Sequence, residues 1–175
     1  MTTALNERAP LTPRDVLNKA FRKVKPDRDD FENYVLTLKW RWPGEPGNNG
    51  VLVHASTPNA LGVWPKSQEV QLAHQNAGDF WVIGTDLKTP LEGVPGYGGK
   101  VRGRRHLNFT DGAENPPGEW NTMVIVCRGD TIAVEVNGTV VNHGTDSDVT
   151  GGAICLQSEG APIEYRDIVL VPLGG

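Results

Sequence analysis

The sequence has no apolar run approaching the ~20 residues that cross a bilayer as a helix. Its first residues, MTTALNERAP, carry no hydrophobic signal-peptide segment. A native N-terminus predicts a soluble, cytoplasmic chain, whereas a trimmed leader predicts a secreted or periplasmic one. Cysteine is scarce: only Cys127 and Cys155 occur, inside the apolar runs MVIVC and GAICL. Such thiols read as small buried hydrophobes rather than a redox or catalytic pair, and spacing alone leaves a disulfide between them open. Positive charge is also short, with 17 Lys and Arg against 21 Asp and Glu for a net charge of -4. A chain without a basic surplus is not expected to bind nucleic acid. Its one basic cluster, Lys100, Arg102, Arg104, Arg105 and His106, lies in a Gly-rich stretch and reads as a solvated loop that could touch an anion. Missing as well are an HExxH pair, an Asp-rich calcium loop, a Gly-x-Ser-x-Gly elbow and a Gly-rich phosphate loop opening a helix.

Glycine and proline are plentiful, at 21 and 13, while 38% of residues remain hydrophobic. That mixture predicts many short strands joined by turns, an all-β chain. A length of 175 residues suits a single core. Thr12 as N-cap and Pro13 at the first helical position precede Val16, Leu17, Ala20, Phe21 and Val24 at helical spacing, so a short amphipathic helix is expected over residues 12–24. The charged segment KPDRDD that follows reads as a linker. The predicted division is therefore an N-terminal extension over residues 1–29 and a β-sandwich domain over 30–175.

Tyr34, Leu36, Leu38 and Trp40 alternate with more polar residues, the period of a strand with one buried face. Further strands are expected at 50–55, 67–73, 80–85, 120–128, 131–137, 139–143, 152–157 and 163–171, with Trp120 in the core. Asn137-Gly138 is the pair demanded by a type I′ hairpin, where both central residues take positive φ. Closely spaced strands without βαβ alternation indicate a sandwich. The long Gly- and Pro-rich stretch from Asp86 to Pro117 is the exception, and long loops in compact domains tend to carry function.

Strand alternation also sorts the polar residues. His54, Glu69, Gln71 and Gln157 fall on the faces opposite Val53, Val70, Leu72 and Leu156, so neighbouring strands would gather them on the non-core side of one sheet. A polar sheet face bordered by aromatics suits sugar, with Trp64, Trp81 and Tyr97 as stacking candidates. Glu69 with Asp79 or Glu159 would supply the paired carboxyls of glycoside cleavage. His54 with Glu69 would supply a base and its orienter, and His54 with His106 a weaker metal-site alternative.

The ordered segments NNGVLVHA, WPKSQEVQL, NAGDFWVIG, GEWNTMVIVCRGDTIAVEVNGTVV, GGAICLQSEG and IEYRDIVLVPL resemble the 3-keto-disaccharide hydrolase family, from about Asp30 to Leu173. The resemblance implies a jelly-roll sandwich of the concanavalin A-like lectin and glucanase kind, and cleavage of glycosides oxidised at C3. A 3-keto group acidifies the C2 proton, so a base can remove it and expel the aglycone, with an acid for the leaving group and donors or a divalent metal for the enolate. By position, the family's E-x-Q strand motif falls on Glu69 and Gln71, and its L-Q-x-H-G motif on Leu156, Gln157, Glu159 and Gly160. Glu159 stands where many relatives have His, and His54 where they have Arg, departures that bear on any metal site. On this resemblance the expected acid/base pair is His54 and Glu69. Trp64, Lys66, Gln71, Asp79, Trp81, Gln157 and Glu159 are then expected to bind the sugar, the enolate or a metal. A carbohydrate-binding module without turnover and a purely structural sandwich are the alternative readings.

Overall fold

A computed structural model describes residues 3–5, 20–23, 28–91 and 103–174. Those residues form twelve strands: β1 (Thr3–Leu5), β2 (Ala20–Lys23), β3 (Tyr34–Arg41), β4 (Gly50–Leu61), β5 (Trp64–Gln71), β6 (Phe80–Ile83), β7 (Arg105–His106), β8 (Asn121–Arg128), β9 (Thr131–Val136), β10 (Thr139–Gly144), β11 (Ala153–Ser158) and β12 (Glu164–Pro172). They build two antiparallel six-stranded sheets, β1-β12-β3-β8-β9-β10 and β2-β11-β4-β5-β6-β7. The sandwich is of the expected concanavalin A-like, jelly-roll kind.

Each of the nine expected strands is present. β4 and β5 run further than alternation suggested, meeting in a long hairpin where Leu61 pairs with Trp64. Asn137 (φ 49°) and Gly138 (φ 84°) both take positive φ between β9 and β10, as that turn requires. The expected helix lies mostly outside the described residues, but its last turn is corrected: Ala20–Lys23 is a strand paired with β11. Tertiary pairing overrides a local helical period when a sheet edge offers unpaired backbone groups. With β1 paired to β12, residues 3–5 and 20–23 of the expected N-terminal extension are strands of the two sheets.

The core lies between the sheets. Tyr34, Leu36, Leu38, Trp40, Met123, Ile125 and Val134 from one face Val51, Val53, Val70, Leu72, Phe80 and Ile154 from the other, all nearly free of solvent. Trp120 is not among them. It is half-buried, with the Arg41 and Arg166 guanidinium carbons 4.7 and 3.9 Å from its ring centroid. Trp120 immediately precedes β8 and shares the outward parity of Thr122 and Val124, opposite Met123 and Ile125. Cys127 and Cys155 are buried and not disulfide-bonded, on strands of different sheets. Burial pushes the Cys127 thiol up to about 12, which suits an inert core residue. Among the described residues no helix is long and apolar enough to cross a membrane.

Candidate functional site

The second sheet carries its chemistry on the face turned away from the core. Register places Leu52 beside Glu69 and Glu69 beside Trp81, while Val51, Val70 and Phe80 form the adjacent row that points inward. Because β5 runs without a bulge between Ser67 and Gln71, Ser67, Glu69 and Gln71 share one face, as alternation predicts. An open cleft of about 180 Å³ lies there, lined by Asn48, Leu61, Trp64, Glu69, Gln71, Trp81, Ile83, Arg104 and Glu159.

Glu69 sits at the centre and is only 5% exposed. Gly50, across β4, makes its position sterically available: a Cβ at residue 50 would fall 2.3 Å from Oε1 and 2.8 Å from Cδ of Glu69. No hydrogen bond to a described residue holds the Glu69 carboxyl. Burial, reinforced by the like charge of Glu159 and opposed by Arg104, pushes its pKa up to about 8. The group is thus mostly protonated at neutral pH.

Glu159 has the contrasting environment. It is half-buried, and its Oε2 accepts hydrogen bonds from Gln157 Nε2 at 2.7 Å and Asn48 Nδ2 at 3.4 Å. Gln71 Nε2 in turn donates to Asn48 Oδ1 at 2.6 Å, tying β5 to the loop before β4. Gln157 is fully buried, and among the described residues its Oε1 has no partner. Trp81 is half-buried, with the Arg104 guanidinium carbon 5.3 Å from its ring centroid.

The structure therefore brings Glu69, Gln71, Trp64, Trp81, Gln157 and Glu159 to one cleft or its margin. It does not bring His54 there. β4 holds one extra residue between Leu52 and Ala55 relative to β11, and His54 takes φ 52°, a bulge that reverses its direction. The ring points between the sheets, its centroid 6.2 Å from that of Tyr34 and its Nδ1 3.3 Å from Gln68 Oε1. The expected His54–Glu69 pair is thereby corrected. A shared metal site with His106 fails too, since His106 lies on β7, three strands from β4, a lateral span of about 14 Å.

Lys66 lies on the opposite face of β5 from Glu69 by alternation, beside Gly84, and does not line the cleft. Asp79 shares the site-bearing face, but Arg105 Nε donates to it at 2.6 Å and the Asn108 backbone N–H at 2.7 Å. Its carboxylate anchors β7 and the following loop instead of facing a ligand. Tyr97, Lys100 and Arg102 lie outside the described residues.

Arg104 and Asn48 are cleft residues that sequence reasoning passed over. Arg104 belongs to the cluster read as a solvated loop, and only the pairing of β7 with β6 brings it over Trp81. Asn48 stands in the NNG turn, where turn chemistry accounts for it equally well. Among the described residues no three His, Cys, Asp or Glu side chains gather to hold one ion. The cleft itself brings together two carboxyls, Glu69 and Glu159, with the amides of Asn48 and Gln71. A cation the cleft does hold is Arg104.

A family model described as the 3-keto-alpha-glucoside-1,2-lyase-like domain matches residues 20–171. Two solved structures from Parabacteroides distasonis ATCC 8503, both described as glycosyl hydrolases, share the fold. One is 23% identical with a TM-score of 0.58, covering 96% of this chain and 100% of that one. The other is 17% identical with a TM-score of 0.59, covering 85% and 73%. The carbohydrate-binding module CBM66 from Bacillus subtilis is 11% identical with a TM-score of 0.59, covering 95% of this chain and 92% of its own. At these identities the likeness is one of fold. No curated protein matches the chain in sequence.

Proposed function

Given that this chain belongs to the 3-keto-alpha-glucoside-1,2-lyase-like domain family, we propose that it cleaves the glycosidic bond of 3-keto-glycosides in the cleft over β4, β5 and β6. The observation that carries the reading is the pair of unlike carboxyls: Glu69, dry and held up to about 8, and Glu159, fixed by two amide donors. Two carboxyls whose environments set them apart take the roles of acid and base.

Glu159 removes the C2 proton, which the neighbouring carbonyl has acidified. The electron pair enters the enolate, whose negative oxygen faces Arg104. As the enolate collapses, the C1=C2 bond forms, the C1–O bond breaks, and the leaving oxygen takes the proton of Glu69. Addition of water to the unsaturated keto sugar completes net hydrolysis. Asn48 and Gln71 present amides to the sugar hydroxyls, Gln157 holds Glu159 from beneath, and Trp81 offers a ring face.

The test is aglycone release from a 3-keto-glycoside and from its unoxidised parent, by wild type and Glu69→Gln. Expected are release from the keto compound alone, its loss in the variant, and a kcat/KM that falls as pH rises through about 8, where Glu69 gives up its proton. A fully active Glu69→Gln refutes the assignment. A binding module without turnover is the second reading, supported by Trp64 and Trp81 along the same cleft. It predicts sugar-dependent tryptophan fluorescence with no release from either compound.

A further inference from the structure

The cleft is chemically divided along its length. Register fixes the order: beside β5, β6 places Ile83 next to Ser67 and Trp81 next to Glu69. Gln71 continues past Glu69 toward Asn48, which it bonds. At that end lie the amides of Asn48, Gln71 and Gln157 and the carboxylate of Glu159. Beyond Glu69 in the other direction lie Ile83, Trp64 and Leu61. Ile83 lies two positions along β6 from Trp81, about 7 Å along a strand, the length of one six-membered ring.

Among the described residues, few groups at this second end can pair with a sugar. The Ser67 hydroxyl is fully buried and donates to Pro65 O at 3.1 Å, and Thr85 Oγ1 accepts from Gln68 Nε2 at 3.2 Å. Leu61 is 41% exposed and Val63, at the same hairpin tip, 49%. Hydroxyls laid against this wall would lose water without gaining partners, which is costly, whereas an apolar ring would bury its surface against Leu61, Ile83 and the Trp64 ring.

We infer that the cleft takes glycosides whose leaving group is apolar, an alkyl or aryl aglycone, in preference to those whose leaving group is a second sugar. This rests on the proposed function, with the 3-keto sugar at the amide end, Glu69 at the scissile oxygen and the aglycone on the hairpin wall.

The experiment compares kcat/KM for 3-keto cyclohexyl glucoside and a 3-keto glucosyl disaccharide of the same anomeric form, for both anomers, with wild type and Leu61→Ser. Cyclohexanol is the poorer leaving group, so a preference for it reflects binding. Expected is a ratio of about tenfold or more favouring the cyclohexyl compound, the scale on which apolar pockets discriminate, and its reduction in Leu61→Ser. Turnover of both at similar rates, or faster turnover of the disaccharide, overturns this inference and leaves the proposed function standing. Turnover of neither overturns the proposed function. Tryptophan fluorescence titrations with the two unoxidised glucosides then decide the wall's preference: tighter binding of cyclohexyl glucoside supports it, and equal or weaker binding overturns it.

Discussion

Gly50 offers the sharpest perturbation because it touches Glu69 without carrying any chemistry. In an ordinary strand, Gly→Ala is favourable by roughly 0.5–1 kcal/mol, since alanine leaves the unfolded chain fewer conformations. At residue 50 the added Cβ would meet Glu69 Oε1 at 2.3 Å, Cγ at 2.7 Å and Cδ at 2.8 Å. An ordinary contact begins at 3.4 Å, so the carboxyl must retreat by about 1 Å or swing to another rotamer. A misplacement of that size costs on the order of a hundredfold in rate, about 2.7 kcal/mol in the barrier.

The assay is kcat and kcat/KM on a 3-keto-glycoside for Gly50→Ala, with a thermal melt and far-UV circular dichroism on the same sample. Expected are a fall of about a hundredfold in kcat, a melting temperature within a few degrees of wild type, and a lower apparent pKa in kcat/KM as the displaced carboxyl meets more water. Wild-type kcat with an unchanged pH profile would refute the placement of Glu69 over β4. A loss of activity that tracked unfolding would refute the claim that Gly50 acts through Glu69.

Glu69 also predicts a stability profile. Its folded pKa of about 8 lies above the ordinary 4.5 of a glutamate, so the folded state holds a proton that the unfolded state gives up. That contribution is complete below about 4.5 and is lost as pH rises through about 8. Melts from pH 4 to 9 should therefore show Glu69→Gln gaining on wild type as pH rises, and a constant difference would contradict this. His54 has the opposite sign: burial lowers its pKa from 6.5 against hydrogen bonds to Gln68 and the Val149 backbone, so stability is lost as pH falls below about 6.5. His54→Asn, which tolerates positive φ, should flatten that acid limb while retaining turnover. A selective loss of kcat at neutral pH would return His54 to the active site. Trp120→Ala should cost about 1–2 kcal/mol, the scale of two cation–π contacts at a half-buried ring, rather than the ~3–5 kcal/mol of a core aromatic. Chemical denaturation separates these outcomes.

How much of this was legible beforehand depends on whether a residue's direction is set by its own strand or by a partner. Tyr34 to Trp40, and Ser67 to Gln71, lie on strands whose alternation is unbroken, so their buried and site-bearing faces follow from period 2 alone. β1, β2 and β7 have too few residues to show a period, and each exists through pairing with a longer strand. Arg104 enters the cleft through such a pairing. Trp120 continues the outward parity of β8, and the two guanidiniums that flank it come from β3 and β12.

His54 shows how one inserted residue changes a site. A slip of one position sends every following side chain to the other face, and nothing in GVLVHAS announces the slip, because histidine does not require positive φ as a turn glycine does. The same bulge leaves Leu52 beside Glu69 and returns Ala55 to the outer face, where both pack with Ala153 and Cys155. With His54 turned inward, the partner for Glu69 must come from another strand, and β11 supplies it: the turn after Ser158 sets Glu159 against Asn48. Glu159, at the position where the sequence resemblance implies a histidine, then has a consistent meaning. A carboxylate beside Glu69 helps keep Glu69 protonated, a coupling that a neutral imidazole would not provide, so the departure from the family pattern and the raised pKa of Glu69 are parts of one arrangement.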